Sequence, residues 1–261
     1  MGFVDTHCHL QLIAEKLGVG SSVAAIVQEA KAAQVEKLLT VSASLEDLNR
    51  VVAIIEEFPF VFGALGVHPH DAGKMKETHF EFIKNHIEHP KISAIGEIGL
   101  DYYYEYSPRD IQKQVFLRFL TLALERQMPV VIHTRDAEED TMDILKEYGA
   151  KLKGVVHCFT GSIALAGFII ENCPHLSLGF TGVITFKNAE KIRDVIRATP
   201  LERIFIETDS PFMAPEPFRG KICQPSYIPW VLKKIAEIKG VSVEKVLQIT
   251  NENSLYLFQE Q

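Results

Sequence analysis

The chain has 261 residues, 47% of them hydrophobic and 23% charged, which suits one globular domain over 1–261 and excludes a disordered or fibrous chain. A net charge of −7 excludes a broad basic surface that coats duplex nucleic acid, but leaves room for a phosphate substrate met at a strand end or as a small molecule. No apolar run reaches the roughly 18 residues of a membrane span, no basic-then-apolar leader is visible, and the cysteines at 8, 158, 173 and 223 form no CxxC pair, so reduced thiols and a cytoplasmic location are expected.

Short runs rich in Val, Ile, Leu and Phe predict strands at Phe3–His7, Lys37–Val41, Val61–Leu65, Ile92–Glu97, Val130–His133, Gly154–His157, Leu176–Gly179 and Ile204–Thr208. Phe3 and Val4 at the start of the first would hide Gly2, which argues against reading the first six residues as a myristoylation signal. Helical patterns lie between them. Residues Val23–Gln34 repeat Ala24, Val27, Ala30 and Lys31 at helical spacing. Pro108–Arg126 carries a stripe of Val115, Phe116, Phe119, Leu120 and Ala123, with Ser107 as N-cap and Pro108 at the first helical position. Asp136–Tyr148, Ser162–Glu171, Asn188–Ala198, Ser226–Lys239 and Ser242–Phe258 follow the same logic. Strand–helix alternation points to an α/β TIM (β/α)8 barrel, and the lack of a glycine-rich phosphate loop disfavours an open doubly wound sheet.

Catalytic groups of such barrels sit at the C-terminal ends of strands. Here His7 and His9 close the first, Glu97 the fourth, His133 the fifth, His157 the sixth and Asp209 the eighth, all residue types that bind metals. Side chains two apart on a strand share a face, so His7 and His9 can share one ion while Cys8 points to the helices. A carboxylate in the apolar run around Glu97 demands a partner, and its two oxygens could bridge two cations. His133 and His157 suit a second ion. Asp209 can both ligate a metal and accept a proton from water.

These residues sit in motifs that resemble the TatD-type metal-dependent hydrolases (TatD-related deoxyribonucleases) of the amidohydrolase superfamily. The motifs are Asp5-Thr6-His7-Cys8-His9-Leu10, Gly66-Val67-His68-Pro69-His70, Gly96-Glu97-Ile98-Gly99-Leu100-Asp101, Pro129–Arg135, His157-Cys158-Phe159-Thr160-Gly161, Glu207-Thr208-Asp209-Ser210-Pro211 and Arg219-Gly220-Lys221. They occur in family order over nearly the whole chain. The resemblance implies a TIM barrel holding up to two divalent metal ions, one on His7, His9, Glu97 and Asp209, the other on Glu97, His133 and His157. It implies Asp209 and Glu97 as catalytic groups, His68 and Arg135 near the substrate, and hydrolysis of phosphodiester bonds from a DNA end. Zn, Mn, Mg, Ni and Fe all suit such donors. Arg135 suits a phosphate through its planar fork, against the simpler reading of a surface pair with Asp136 or Asp140.

Two departures bear on substrate preference. Gln11 stands where the family usually has Asp or Glu, and Ile222-Cys223-Gln224 follows Lys221 where the family has a sequence close to Arg-Asn-Glu. The same centre could instead serve small ester, amide or aminoacyl substrates, because fold and ligands alone do not separate these reactions. The lack of a lysine at the tip of strand four argues against a carbamylated-lysine bridge. A purely structural metal is disfavoured because the donors outnumber what one structural zinc needs. Nothing in the sequence calls for an obligate protein partner or a membrane.

Overall fold

The computed structural model describes residues 2–258; Met1 and Gln259–Gln261 of the expected 1–261 domain lie outside the described residues. Eight strands form one sheet in chain order: β1 (Phe3–Cys8), β2 (Val35–Val41), β3 (Val61–Leu65), β4 (Ile92–Asp101), β5 (Val130–Arg135), β6 (Gly154–Val156), β7 (Leu176–Phe180) and β8 (Ile204–Ile206). Every neighbouring pair is parallel. Beyond β8 the chain meets β1: Asp209 N donates to His7 O at 2.9 Å and His9 N to Ser210 O at 2.8 Å, so the sheet rolls into a nearly closed TIM barrel.

Helices cover the outside: α1 (Leu10–Leu17), α2 (Val23–Ala32), α3 (Leu48–Glu57), α4 (Glu77–His86), α5 (Arg109–Arg126), α6 (Glu138–Tyr148), α7 (Ile163–Asn172), α8 (Glu190–Ala198), α9 (Ile228–Lys239) and α10 (Val243–Ser254). Serine hydroxyls cap three of them, with Ser22, Ser162 and Ser242 accepting from Ala25, Leu165 and Lys245 backbone N–H groups. Of the α2 stripe, Val27 and Ala30 are buried beside Ile26, whereas Lys31 is exposed. Helices α1, α3 and α4 are not among the expected ones, although α1 and α3 bury one apolar face, Leu10 and Ile13 in the first and Leu48, Val51, Ile54 and Ile55 in the second. The expected cap of α5 is also corrected. Pro108 takes the cap position, and the Ser107 hydroxyl turns to the loop after β3, accepting from Gly73 N and donating to His70 O.

Strand ends differ from the sequence reading in both directions. β4 and β5 run on to Asp101 and Arg135, while β6 and β8 stop before His157 and Asp209. Cys158 and Asp209 adopt left-handed backbone, φ 42° and 53°, which ends the extended run and turns the chain over the barrel mouth.

The core has two parts. The larger lies between sheet and helices. The smaller fills the barrel with Leu39, Val41, Phe62, Ala64, Ala94, Val131, Val155 and Phe205, and Leu257 and Phe258 close it at the N-terminal ends of the strands. The opposite end is left to the polar residues.

Candidate metal centre

The polar mouth is built by strand register. On β4, Ile95 pairs with Val130 and Ile98 with Ile132, so three steps on β4 face two on β5. The bulge at Gly96-Glu97 turns the Glu97 carboxylate into the barrel. Glycine is required on both sides of it. A Cβ on Gly96 would lie 2.6 Å from Val131 Cβ, and one on Gly99, at φ +143°, would overlap the His133 carbonyl oxygen.

All six sequence-derived donors converge there. His7 Nε2 lies 3.3 Å from His9 Nε2, 3.7 Å from Glu97 Oε2 and 3.8 Å from Asp209 Oδ1; His9 Nε2 lies 3.4 Å from the same Asp209 oxygen. The other Glu97 oxygen lies 2.8 Å from His133 Nδ1 and 2.6 Å from His157 Nε2. The His7 and His157 rings stack at 4.0 Å, joining the two halves.

Outer partners settle which nitrogen carries the proton. Val41 O can only accept, so His9 Nδ1, 2.8 Å away, holds a hydrogen and Nε2 is the atom that faces inward. Ionised Asp101 likewise only accepts, so His133 Nε2, 3.1 Å from it, is protonated and Nδ1 faces Glu97. His68 is opposite in kind. Its Nδ1 accepts from the His70 backbone N–H at 3.1 Å, so the neutral ring carries its proton on Nε2, aimed at Glu97 Oε1 3.5 Å away. Although His68 groups geometrically with Glu97 and His133, it is set up as a donor rather than a ligand.

Burial and mutual charge shape the titration. Burial, reinforced by His157, holds His7 well below the usual histidine range. Burial also works against the Glu97 carboxylate, but His157, His68 and the bonds to His133 and His157 hold it well below the usual range. Burial lowers His133, yet Asp101 and Glu97 outweigh it and bring it up to about 9. Asp101 is held low against its burial by His133 and His70. Burial also lowers His9, yet its hydrogen bond to Asp209 outweighs it and raises the ring. Two imidazole nitrogens and two carboxylate oxygens thus converge on one point, where protons hold the cluster together and a divalent cation could replace them. The mixed nitrogen and oxygen donors fit such an ion.

Several contributors were quoted in the sequence only as neighbours in a motif. Asp5, pushed by burial up to about 7, accepts from the Thr208 backbone and hydroxyl and so anchors the Asp209 turn. Glu207 is buried above Gly179, accepts from Cys158 N, and lies 3.9 Å from His157 Nδ1; burial pushes it well above the carboxylate range. Asp101 holds His133. The signal for all three was a carboxylate inside an apolar strand, which costs free energy unless partnered.

Arg135 stands apart from the six donors. It leaves β5 two residues after His133 and lies over the Tyr103 ring at 3.8 Å and Tyr104 at 5.0 Å, not against Asp136 or Asp140. Asp140 instead pairs with Lys113 and the Tyr102 hydroxyl. Gln11 is buried, donating to Val41 O, the same carbonyl that His9 uses, and accepting from Thr40. Cys223 is buried behind the Asp209 turn, its N–H donating to Pro211 O. All four cysteines are free thiols.

The sequence profile described as TatD related DNase matches residues 4–259. The metal-dependent hydrolase YabD of Bacillus subtilis is 44% identical over 97% of this chain and 98% of its own. The human protein named 3'-5' RNA nuclease TATDN2 is 33% identical over 98% of this chain, which spans 35% of that longer protein. The crystal structure of YjjV, a TatD homologue of Escherichia coli, superposes with a TM-score of 0.88 at 30% identity, covering 98% of this chain and 97% of that one.

Proposed function

The chain belongs to the TatD-related DNase family of metal-dependent hydrolases, and from that premise we propose that it is a divalent-metal-dependent nuclease hydrolysing phosphodiester bonds at DNA ends. The observation that carries this reading is the convergence of His7, His9, Glu97, His133, His157 and Asp209, with the two Glu97 oxygens serving separate groups of donors. In this reading His7, His9, Glu97 and Asp209 hold one ion, and Glu97, His133 and His157 a second. Zn, Mn, Mg, Ni and Fe are all compatible with the donors. Bound ions of this kind stabilise charge on a phosphoryl oxygen and lower the pKa of water.

The chain's own groups do the rest. Asp209, held by the Asp5–Thr208 anchor, orients the attacking water and accepts its proton. His68 donates from Nε2 to a phosphoryl oxygen, and Arg135 offers its guanidinium to a phosphate further along the strand. In-line attack then expels the ester oxygen of the neighbouring nucleotide. The net charge of −7 favours a strand end delivered to a localised cation site over a coated duplex. The family description and the nuclease name of the human relative support cutting of a nucleic-acid strand.

The test is degradation of end-labelled single- and double-stranded DNA with Mg, Mn or Zn, beside an Asp209→Asn control. Stepwise shortening from one end, reduced about 10²–10⁴-fold in the control, is expected. Full metal loading with no cleavage of any strand would overturn the reading in favour of small ester or amide substrates.

A further inference from the structure

The loop joining β4 to α5 carries aromatic rings that the fold leaves uncovered. Tyr103, Tyr104 and Tyr106 are 56%, 47% and 68% exposed. Tyr104 and Tyr106 stack with centroids 5.3 Å apart and 19° between planes, and Tyr103 stands edge-on to Tyr104 at 4.8 Å. His70 meets both stacked rings, at 5.4 and 4.8 Å. The Arg135 guanidinium covers Tyr103 and makes no ion pair among the described residues, so its charge is free for a ligand. A cavity of about 300 Å³ opens beside them, lined by Tyr103, Arg135 and Thr160 together with two acidic residues, Asp136 and Glu138, the latter accepting from Ser162.

This cluster is coupled to the centre by one side chain. Asp101 Oδ1 accepts from the backbone N–H groups of Tyr103 and Tyr104, both at 3.0 Å, while Oδ2 lies 3.1 Å from His133 Nε2 and 3.1 Å from His70 Nε2. The same carboxylate that orients a candidate ligand therefore fixes where the tyrosines stand. Gln112 locks the loop from α5, accepting from Asp101 N and donating to Asp101 O and Ser107 O.

Uncovered phenol rings with a guanidinium over one face are surfaces on which unpaired nucleobases stack, without selecting sequence. A duplex keeps its bases stacked on each other and cannot use them. We propose that Tyr103, Tyr104 and Tyr106 form a stacking platform for bases of a single strand beside the scissile bond, with Arg135 bridging the platform to the strand's phosphates. The platform rests on the nuclease reading and deepens it by naming the rings that would hold the strand's bases.

The test uses the full-length protein loaded with whichever ion supports cleavage. KM is measured for a single-stranded oligonucleotide and for copies bearing a stable abasic residue at each position flanking the scissile bond, in deoxy and ribo forms. In the wild type, one abasic position is expected to raise KM about tenfold. Tyr103→Ala/Tyr104→Ala/Tyr106→Ala should raise KM for the intact strand to that level and erase the difference. Tyr103→Phe/Tyr104→Phe/Tyr106→Phe should keep it, because the ring rather than the hydroxyl does the stacking. Discrimination that survives in the alanine variant, or is absent from a wild type that cleaves both strands, overturns the platform alone. A wild type that cleaves neither strand overturns the platform and the nuclease reading together.

Discussion

Asp101 sits one step outside the six converging donors and directs one of them. With Nε2 of His133 committed to this carboxylate, Nδ1 is the atom that faces Glu97. Asp101→Asn removes the charge and lets the amide donate, which would favour the wrong tautomer of His133. Metal affinity should fall about 10–100-fold, read by competition with a chromogenic chelator; an unchanged affinity would remove Asp101 from that role. The His133 shift gives a pH prediction. Without metal its pKa lies at about 9, so below pH 9 the ring is doubly protonated and an ion must displace one proton from Nδ1. Through this ring alone, affinity should rise about tenfold per pH unit up to about 9 and then level. His7, held well below the histidine range, adds no proton of its own near neutrality. Calorimetry at pH 7.5 in buffers of different ionisation enthalpy should show net proton release on metal binding, from His133 and from His9, which Asp209 raises against its burial; none released would contradict the assignment.

At the scale of elements, β4 decides where the carboxylate goes. A regular strand would alternate its residues between barrel and helices; the extra residue at Gly96-Glu97 resets that alternation. Closeness of β4 to β5 makes the position intolerant of any side chain. Gly99→Ala would force a Cβ into the His133 carbonyl at a φ of +143°. The expected cost is about 1–3 kcal/mol, measurable as a lower urea midpoint at an unchanged m-value. A midpoint equal to wild type would show that β4 can straighten without harm. The loops after β6 and β8 do a related job with left-handed turns at Cys158 and Asp209, which lift His157 and Asp209 off the sheet and over the mouth.

The molecule separates stability from chemistry by placing them at opposite ends of the barrel. Leu257 and Phe258 seal the N-terminal ends of the strands, where Phe258 packs on Phe62 and its carbonyl accepts from Lys37. Phe258→Ala should cost about 3–5 kcal/mol in chemical denaturation while metal affinity stays within twofold of wild type, roughly the scatter of additive, distant sites. A parallel loss of affinity would show that the two ends are coupled. Among the described residues, no helix is long and apolar enough to cross a membrane.

Sequence by itself determined the layer plan, because strands buried on both faces must be short and apolar and each parallel return needs a helix. It also picked out the donors now seen converging, since histidines and carboxylates at the tips of such strands contradict their apolar surroundings. It blurred the short helices α1, α3 and α4, and it misplaced the Ser107 hydroxyl, whose partners Gly73 and His70 are more than thirty residues away. Only the tertiary structure decided the bulge that aims Glu97, the hydrogen bonds that turn His9 Nε2 and His133 Nδ1 inward and make His68 an N–H donor, and the seat of Arg135 on Tyr103. Each of these depends on a register or a hydrogen-bond partner from another strand, and local pattern carries no record of which distant group a side chain will meet.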